Sequence, residues 1–326
     1  MDKKKISLIS GISGQDGSYL AEFLLEKGYE VWGTVKRNSV AENQTARLDK
    51  IYSQLEGRLI YADLTDLASL ISVIQQSQPD EIYNLAAQSH VRISFDQPIY
   101  TAQATGIGTL NLLEAVRLTK PNTKIYQASS SEMFGNNIDL DRYQRETTPL
   151  TPVSPYGCAK VFAYNISNNY KNSYGMFISN GILFNHESPR RGTNFVTNKV
   201  VKTAVQIAKG QKSELVLGNL DATRDWGHAK DYVEAMWMIL QLDQPDNFVC
   251  STGVSHSVRD LVEYTFNKLG LNWEDYVTTD KKYFRPEELL DLKGDSTKLR
   301  KATGWEPKYN FKTMIDEMIE YWINEL

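Results

Sequence analysis

Apolar and polar positions alternate along the first half of the chain in two distinct rhythms. Ile6–Ser10 and Tyr29–Val35 are short apolar runs of the kind that form buried strands, and the stretch between them, Gly17–Lys27, is amphipathic at helical spacing. Leu59–Ala62, Glu81–Leu85 and Lys124–Ala128 continue the strand series, with helical patterns at Leu67–Gln76 and Ile99–Leu118. Strand, helix, strand repeated in this way predicts parallel strands joined by right-handed crossovers. The fold class is therefore α/β, a doubly wound parallel sheet of Rossmann type. From about Phe184 the rhythm loosens into loops and mixed elements, and it ends in an amphipathic helix near Phe311–Leu326. This half is expected to form a smaller domain over the strand ends. No Gly/Ser linker marks a boundary, so residues 1–184 and 185–326 are expected to be interleaved, with some later segments returning to the first domain.

Composition narrows the functional class. Of 326 residues, 41% are hydrophobic and 23% charged, the balance of an ordinary globular protein. Thirty-six Lys+Arg against 40 Asp+Glu leave a net charge of −4, which supplies no global basic field for nucleic acid or a membrane surface. Cys158 and Cys250 belong to no C-x-x-C pair, which argues against a disulfide framework or a thiolate zinc site. The apolar run after Met1-Asp2-Lys3-Lys4-Lys5 is broken by Gly11, Gly14, Gln15 and Asp16, so no signal-peptide core forms. A cytoplasmic protein is expected.

Gly11, Gly14 and Gly17 stand in the spacing G-x-x-G-x-x-G directly after the first strand and at the start of the first helix. Such glycines allow a tight turn, close approach of backbone to a pyrophosphate, and close helix–sheet packing. Gln15 and Asp16 lie within the same turn. An acid at the end of the second strand would accept the ribose hydroxyls of NAD. Here Lys36-Arg37-Asn38-Ser39 stands instead, two cations and two small hydrogen-bonding residues that suit the extra phosphate of NADP. Asp63 and Leu64 are placed to border the adenine, and Leu85-Ala86-Ala87 are small enough to let a cofactor pass.

The carboxyl edge of the sheet carries the candidate chemistry. Ser129-Ser130-Ser131-Glu132 follows the fifth strand. Ser154 is a good N-cap and Pro155 a good first helical residue, so a helix is expected to start there. Tyr156 and Lys160 are then one turn apart on one face, where an ammonium favours the phenolate and moves tyrosine towards general-base duty. The same Tyr-x-x-x-Lys spacing recurs at Tyr264 and Lys268, within an amphipathic stretch lacking an upstream serine cluster. That copy reads as a structural helix. Cys158 reads as a small packing residue, and the four histidines show no H-E-x-x-H spacing, so no metal site is expected.

The glycine loop, the serine stretch and Tyr156/Lys160 resemble the extended short-chain dehydrogenases/reductases. Asn180-Gly181-Ile182-Leu183-Phe184-Asn185-His186-Glu187-Ser188-Pro189-Arg190-Arg191-Gly192, Gly218 to Tyr232, and Tyr283-Phe284-Arg285-Pro286-Glu287-Glu288 are similar to the GDP-mannose 4,6-dehydratase family, and the likeness runs from about Lys5 to Tyr321. The resemblance implies that Tyr156 takes the proton of the sugar 4-hydroxyl while hydride leaves C4 for NADP. Ser130 would bond that oxygen. Glu132 would remove the C5 proton and help expel the C6 hydroxyl as water, and Lys160 would hold the nicotinamide ribose. It also implies that Ser89, His186 and Arg191 help enclose the cofactor, with Tyr100 near its nicotinamide half. Asn185, Lys199, Arg224, Arg285 and Glu288 would hold GDP-mannose. A homo-oligomer, dimer or tetramer, is implied as well. Ser130 stands where most of the family has threonine, and Lys36 where arginine is usual. Two other readings are a reductase of the 4-keto product, alone or combined with the dehydratase, and a non-catalytic NADP-binding regulator. Glu132 speaks against plain reduction, which needs no base at C5. The set Ser130, Glu132, Tyr156 and Lys160 speaks against a mere sensor.

Overall fold

The computed structural model describes residues 4–37, 44–284 and 287–326. Six strands appear in order through the first part of the chain: β1 (Ile6–Ser10), β2 (Glu30–Val35), β3 (Leu59–Tyr61), β4 (Glu81–Asn84), β5 (Lys124–Ser130) and β6 (Ile178–Leu183). Between them run α1 (Gln15–Glu26), α2 (Leu67–Ser77), α3 (Val91–Asp96), α4 (Pro98–Thr101), α5 (Gly108–Thr119) and α6 (Pro155–Tyr174). The second part contains β7 (Asn185–Glu187), α7 (Val196–Ala208), β8 (Leu215–Leu217), β9 (Thr223–His228), α8 (Ala229–Gln241) and β10 (Asn247–Cys250). It closes with β11 (Ser255–Ser257), α9 (Val258–Lys268), β12 (Val277–Thr279), β13 (Asp291–Leu292), α10 (Thr297–Thr303) and α11 (Phe311–Glu325).

The main sheet has seven strands in the order β10-β6-β5-β4-β1-β2-β3. Every pairing in it is parallel. This is the doubly wound sheet that the pattern predicts. Apart from the edge strand β3, its strands are largely buried on both faces, and successive residues serve different layers. Leu8, Ile82 and Ile125 pack with Leu70, Val73, Leu112 and Val116 of α2 and α5 on one side. Their neighbours Ile9, Tyr83 and Tyr126 pack with Leu20, Leu24, Tyr232, Met236 and Ile239 of α1 and α8 on the other. The last strand and one covering helix of this sheet thus come from residues beyond 228.

A second layer gathers over the carboxyl edge. β9 pairs with β11 antiparallel and with β7 and β13 in parallel, while β8 and β12 form a separate parallel pair. Its core holds Val201, Val205, Leu217, Trp226, Leu261, Phe266, Met314, Ile315 and Met318. The single helix expected over Ile99–Leu118 is interrupted: a π-helical turn, Ala102–Ile107, separates α4 from α5. Close packing accompanies the interruption. A Cβ on Gly108 would lie 2.7 Å from Leu64 Cβ, and one on Gly106 would lie 3.3 Å from the Phe162 ring. Among the described residues no helix is long and apolar enough to cross a membrane.

Candidate active site

β1 delivers the chain into Gly11, whose φ of +70° is open to glycine at little cost. A Cβ there would sit 3.0 Å from Ala86 Cα, so the loop lies directly on the turn after β4. Gly14 N donates to Gly11 O at 3.0 Å and closes the turn. Gly17 serves packing, because its missing Cβ would come within 2.4 Å of Gly11 O. Gly14 caps α1 without a side-chain hydrogen bond, so the first amides of the helix point to where an anion can bind. This cradle, filled by any larger residue, fits the pyrophosphate of a dinucleotide.

Beyond β2, Lys36 Nζ lies 2.9 Å from Asp63 Oδ2 and donates to Tyr100 Oη at 2.9 Å. Hydrogen bonds to Tyr100 and Asp63 raise the lysine's pKa, so its charge is held at the mouth of β2 and β3. Tyr100 is thereby placed beside Lys36 at the ends of β2 and β3, apart from the cavity that Ser130, Tyr156 and Lys160 line. Helix α4 reaches Lys36, and the side chain follows the helix. Arg37 sits over the Tyr61 ring, 5.7 Å from its centroid. The Leu64 side chain turns into the core. Asn38, Ser39 and Arg285 lie outside the described residues.

A cavity of about 580 Å³ opens at the carboxyl ends of β5 and β6. Ser130, Glu132, Tyr156 and Lys160 line it, together with Asp16, Leu85, Ala87, Ser89, His186 and Arg191. Asn185, Lys199, Arg224 and Glu288 line it as well. Lys36, Asp63, Leu64 and Tyr100 do not line it, nor do Gly11, Gly14, Gly17 and Ala86, although Asp16 brings the glycine loop to its edge.

α6 starts where its sequence requires: the Ser154 hydroxyl accepts from Gly157 N at 3.0 Å. One turn of that helix presents Tyr156 and Lys160 to the cavity. Ser130 closes β5, and its Oγ accepts from Glu132 N at 3.2 Å, which turns Glu132 in beside it. Burial pushes the Tyr156 phenol up to about 12, opposed by a hydrogen bond with Ser130. Burial likewise draws Lys160 down to about 8, opposed by the charge of Asp16. Lys160 Nζ donates to the Ala128 carbonyl at 2.7 Å and stands 5.8 Å from the centre of the Tyr156 ring. The expected lowering of the phenol is thus outweighed by burial in the protein alone. One of the three ammonium N–H groups goes to a strand carbonyl, and the Ser130 hydroxyl bonds the phenol directly.

Towards the second layer, Arg191 Nε pairs with Glu187 Oε2 at 3.1 Å. Arg224 is buried, with Nη1 donating to the Thr223 and Leu289 carbonyls. Lys199 Nζ donates to Val216 O at 2.6 Å and sits 4.3 Å from the Tyr283 ring centre. Burial, with Lys212 and Lys282 nearby, lowers its pKa. This is a cationic wall suited to a diphosphate. Sequence reading missed His90, Arg92, Asn194, Trp226, Lys282 and Tyr283, which also line the cavity. Trp226 and Tyr283 stand inside the quoted motifs, so a signal was there for those two.

The second Tyr-x-x-x-Lys copy is structural. Tyr264 Oη donates to Asp316 Oδ1 at 2.9 Å, and Lys268 Nζ lies 3.1 Å from Asp316 Oδ2. Both residues fasten α9 to α11. Cys158 is exposed, not packed, since it stands two residues from Tyr156 on another face of α6. Among the described residues no cluster of His, Cys, Asp and Glu is arranged to hold a metal.

The family described as GDP-mannose 4,6 dehydratase matches residues 8–318. The chain is 49% identical to the human protein named GDP-mannose 4,6 dehydratase, covering 97% of this chain and 91% of the relative. It is 47% identical to GDP-mannose 4,6-dehydratase of Vibrio cholerae serotype O1, covering 97% and 93%. Among solved structures, dTDP-glucose 4,6-dehydratase of Streptomyces venezuelae with NAD bound superposes with a TM-score of 0.85 at 22% identity, covering 98% of this chain and 97% of that one. UDP-glucose 4-epimerase of Thermus thermophilus, in complex with NAD, superposes at 0.84 and 24% identity, covering 98% and 100%. These structures share the fold, and the match along residues 8–318 with near-half identity carries the finer assignment: the chain belongs to the GDP-mannose 4,6-dehydratase family.

Proposed function

We propose that this protein is a hydro-lyase that converts GDP-D-mannose to GDP-4-dehydro-6-deoxy-D-mannose, with NADP as its cofactor. The observation that carries the reading is the meeting of Glu132 with Ser130, Tyr156 and Lys160 in one cavity beside the glycine loop. Reduction or epimerisation at C4 needs the last three and no base at C5. Elimination needs Glu132.

NADP, held at the glycine loop of residues 11–17 with Lys36 and Arg37 towards its 2′-phosphate, would supply a reversible hydride acceptor for oxidation at sugar C4 and reduction at C6. The protein's residues handle the protons. Tyr156 acts as the phenolate, the form that its hydrogen bond with Ser130 and the positive charge of Lys160 favour against burial; it receives the proton of the 4-hydroxyl, and Ser130 steadies the oxygen as its charge develops. Oxidation at C4 makes the C5 proton acidic, because the carbanion is stabilised as an enolate. Glu132 takes that proton and passes it to the C6 hydroxyl, which leaves as water; once C6 is reduced, C5 regains a proton from the Tyr156 hydroxyl, which has exchanged with solvent, and the tyrosine returns to its basic form. Lys160 lies a turn below Tyr156 and adds positive potential beneath the site. Arg224, Lys199 and Glu288 line the cavity, and their charges suit the diphosphate and ribose of the GDP moiety. Lys36 and Arg37 support NADP over NAD, since both are cations where an acid would reject the 2′-phosphate.

The test is Glu132→Gln, which keeps the shape and removes the basic oxygen. Dehydration of GDP-mannose, followed by product mass, should fall by roughly 10²–10⁴-fold. In deuterated water the native enzyme should place deuterium at C5, and the variant should exchange little. Undiminished exchange in the variant would assign that proton to another group.

A further inference from the structure

Asp16 and His186 meet across the seam between the first turn of α1 and β7, and both line the cavity. His186 Nδ1 lies 2.8 Å from the Phe184 carbonyl oxygen, and Nε2 lies 2.8 Å from Asp16 Oδ2. A carbonyl accepts only, and so does an ionised carboxylate. A neutral imidazole carries one N–H and satisfies one of these partners; an imidazolium satisfies both. The ring is buried and stacks on Tyr232, with centroids 4.6 Å apart and planes 24° from parallel. An aromatic face at that distance favours a cation. Gln15 Nε2 donates to Asp16 Oδ1 at 2.9 Å and to the His186 carbonyl at 3.1 Å, so one side chain braces both members of the pair.

We infer that Asp16 is a positioning residue that keeps His186 as an imidazolium, and that the neutral pair so formed lets an anionic dinucleotide dock on a helix end that would otherwise present a bare carboxylate. The inference rests on the dinucleotide reading of the glycine loop. The first turn of α1 attracts anions through its amides and its dipole, and Asp16 stands in that turn. Alone, its charge would repel the incoming diphosphate. Paired with an imidazolium it does not.

The charges around the ring agree. Asp16 faces it from α1, and Arg191 from the loop after β7, with Glu187 turned towards Arg191. Tyr232 faces it from α8, and Tyr156 and Lys160 share the cavity from α6. Burial opposes the charged ring, but the charge and hydrogen bond of Asp16 outweigh burial and Arg191 and raise the His186 pKa above 6.5. Asp16, also opposed by burial, is held down to about 2, chiefly by His186. As pH rises through the raised value, the ring loses one N–H, the pair becomes a net anion, and dinucleotide affinity falls. By reciprocity, bound dinucleotide raises the His186 pKa further.

The experiment has two arms. Nitrogen–proton NMR follows the imidazole rings of the unliganded protein through a pH titration, and calorimetry measures NADP affinity over the same range. Both are run on the native chain, Asp16→Asn, His186→Gln and the double variant. In the native chain both His186 nitrogens should carry protons near neutral pH. Asp16→Asn should lower its midpoint by about one unit or more. His186→Gln should weaken NADP by at least roughly tenfold, because a bare carboxylate remains. The double variant should recover most of that loss and lose the pH dependence. An unchanged His186 midpoint in Asp16→Asn, or a double variant as weak as His186→Gln, would overturn the inference. Native protein that binds no NADP at any pH would instead refute the glycine-loop reading, and the NMR arm would still decide the charge state of the pair.

Discussion

Tyr156 and Tyr264 show how little a spacing means without its surroundings. Each is followed four residues later by a lysine, and each is pushed up to about 12 by burial. One opens into a cavity beside Ser130 and Glu132; the other donates to Asp316 at a helix–helix contact. Tyr156→Phe should therefore abolish turnover with the fold intact, since only the titrating hydroxyl is removed. Tyr264→Phe should leave turnover near normal and slightly lower the melting temperature, by the loss of one hydrogen bond worth about 1 kcal/mol. Steady-state rates and thermal melts of the two variants check this. Equal loss of activity would mean that the choice between the copies is mistaken. The serine upstream and the Ser154-Pro155 start made that choice legible in the sequence. The position of Tyr100 was not legible, because nothing local shows that α4 carries it to Lys36 rather than to β5.

At the scale of elements, β1 to β5 were readable because each carries a short run of apolar residues and they are separated by helical patterns of ordinary length. The later part was harder. α8 and β10 return to the first sheet from beyond residue 228, and β10 pairs with β6 across 67 positions of chain at Asn247 and Asn180. Periodicity reports which face of a segment is buried and says nothing of which distant segment covers it. The π-helical turn at Ala102–Ile107 was invisible for a similar reason: the close approach of Leu64 to Gly108 is a tertiary contact. The glycine loop is the opposite case, since its constraint is local. A methyl group on Gly17 would meet Gly11 O at 2.4 Å and Ile12 Cα at 2.6 Å, both of them backbone. Gly17→Ala should cost about 1–3 kcal/mol, read as a shift in urea midpoint, and should weaken dinucleotide binding as the loop moves. A variant of native stability and affinity would remove the close-packing argument.

At the scale of the whole molecule, two carboxylates, Glu317 and Asp225, respond to acid with opposite sign. Glu317 on α11 is opposed by burial but lowered to about 2 by His228 and Lys230. Its folded pKa lies below the ordinary 4.5, so its stabilisation is fully present above 4.5 and is lost as pH falls towards 2. Asp225 is buried under Thr252, Gly253 and Gly294 and is raised by that burial to about 6. It works in reverse: its stabilising contribution exists below 3.8 and is lost as pH rises through 6. Urea unfolding between pH 2 and 7 should therefore show Glu317→Gln losing less stability in acid than the native chain. A native-like acid slope in that variant would mean that the ion pairs of α11 contribute nothing measurable.

One cavity oxidises, eliminates and reduces in sequence on a single sugar, and GDP-mannose labelled with deuterium at C4 follows all three events at once. The product should be lighter by one water, with the label recovered at C6 and no net consumption of NADPH. Label released in free reduced cofactor, or a product that keeps all its oxygens, would contradict it.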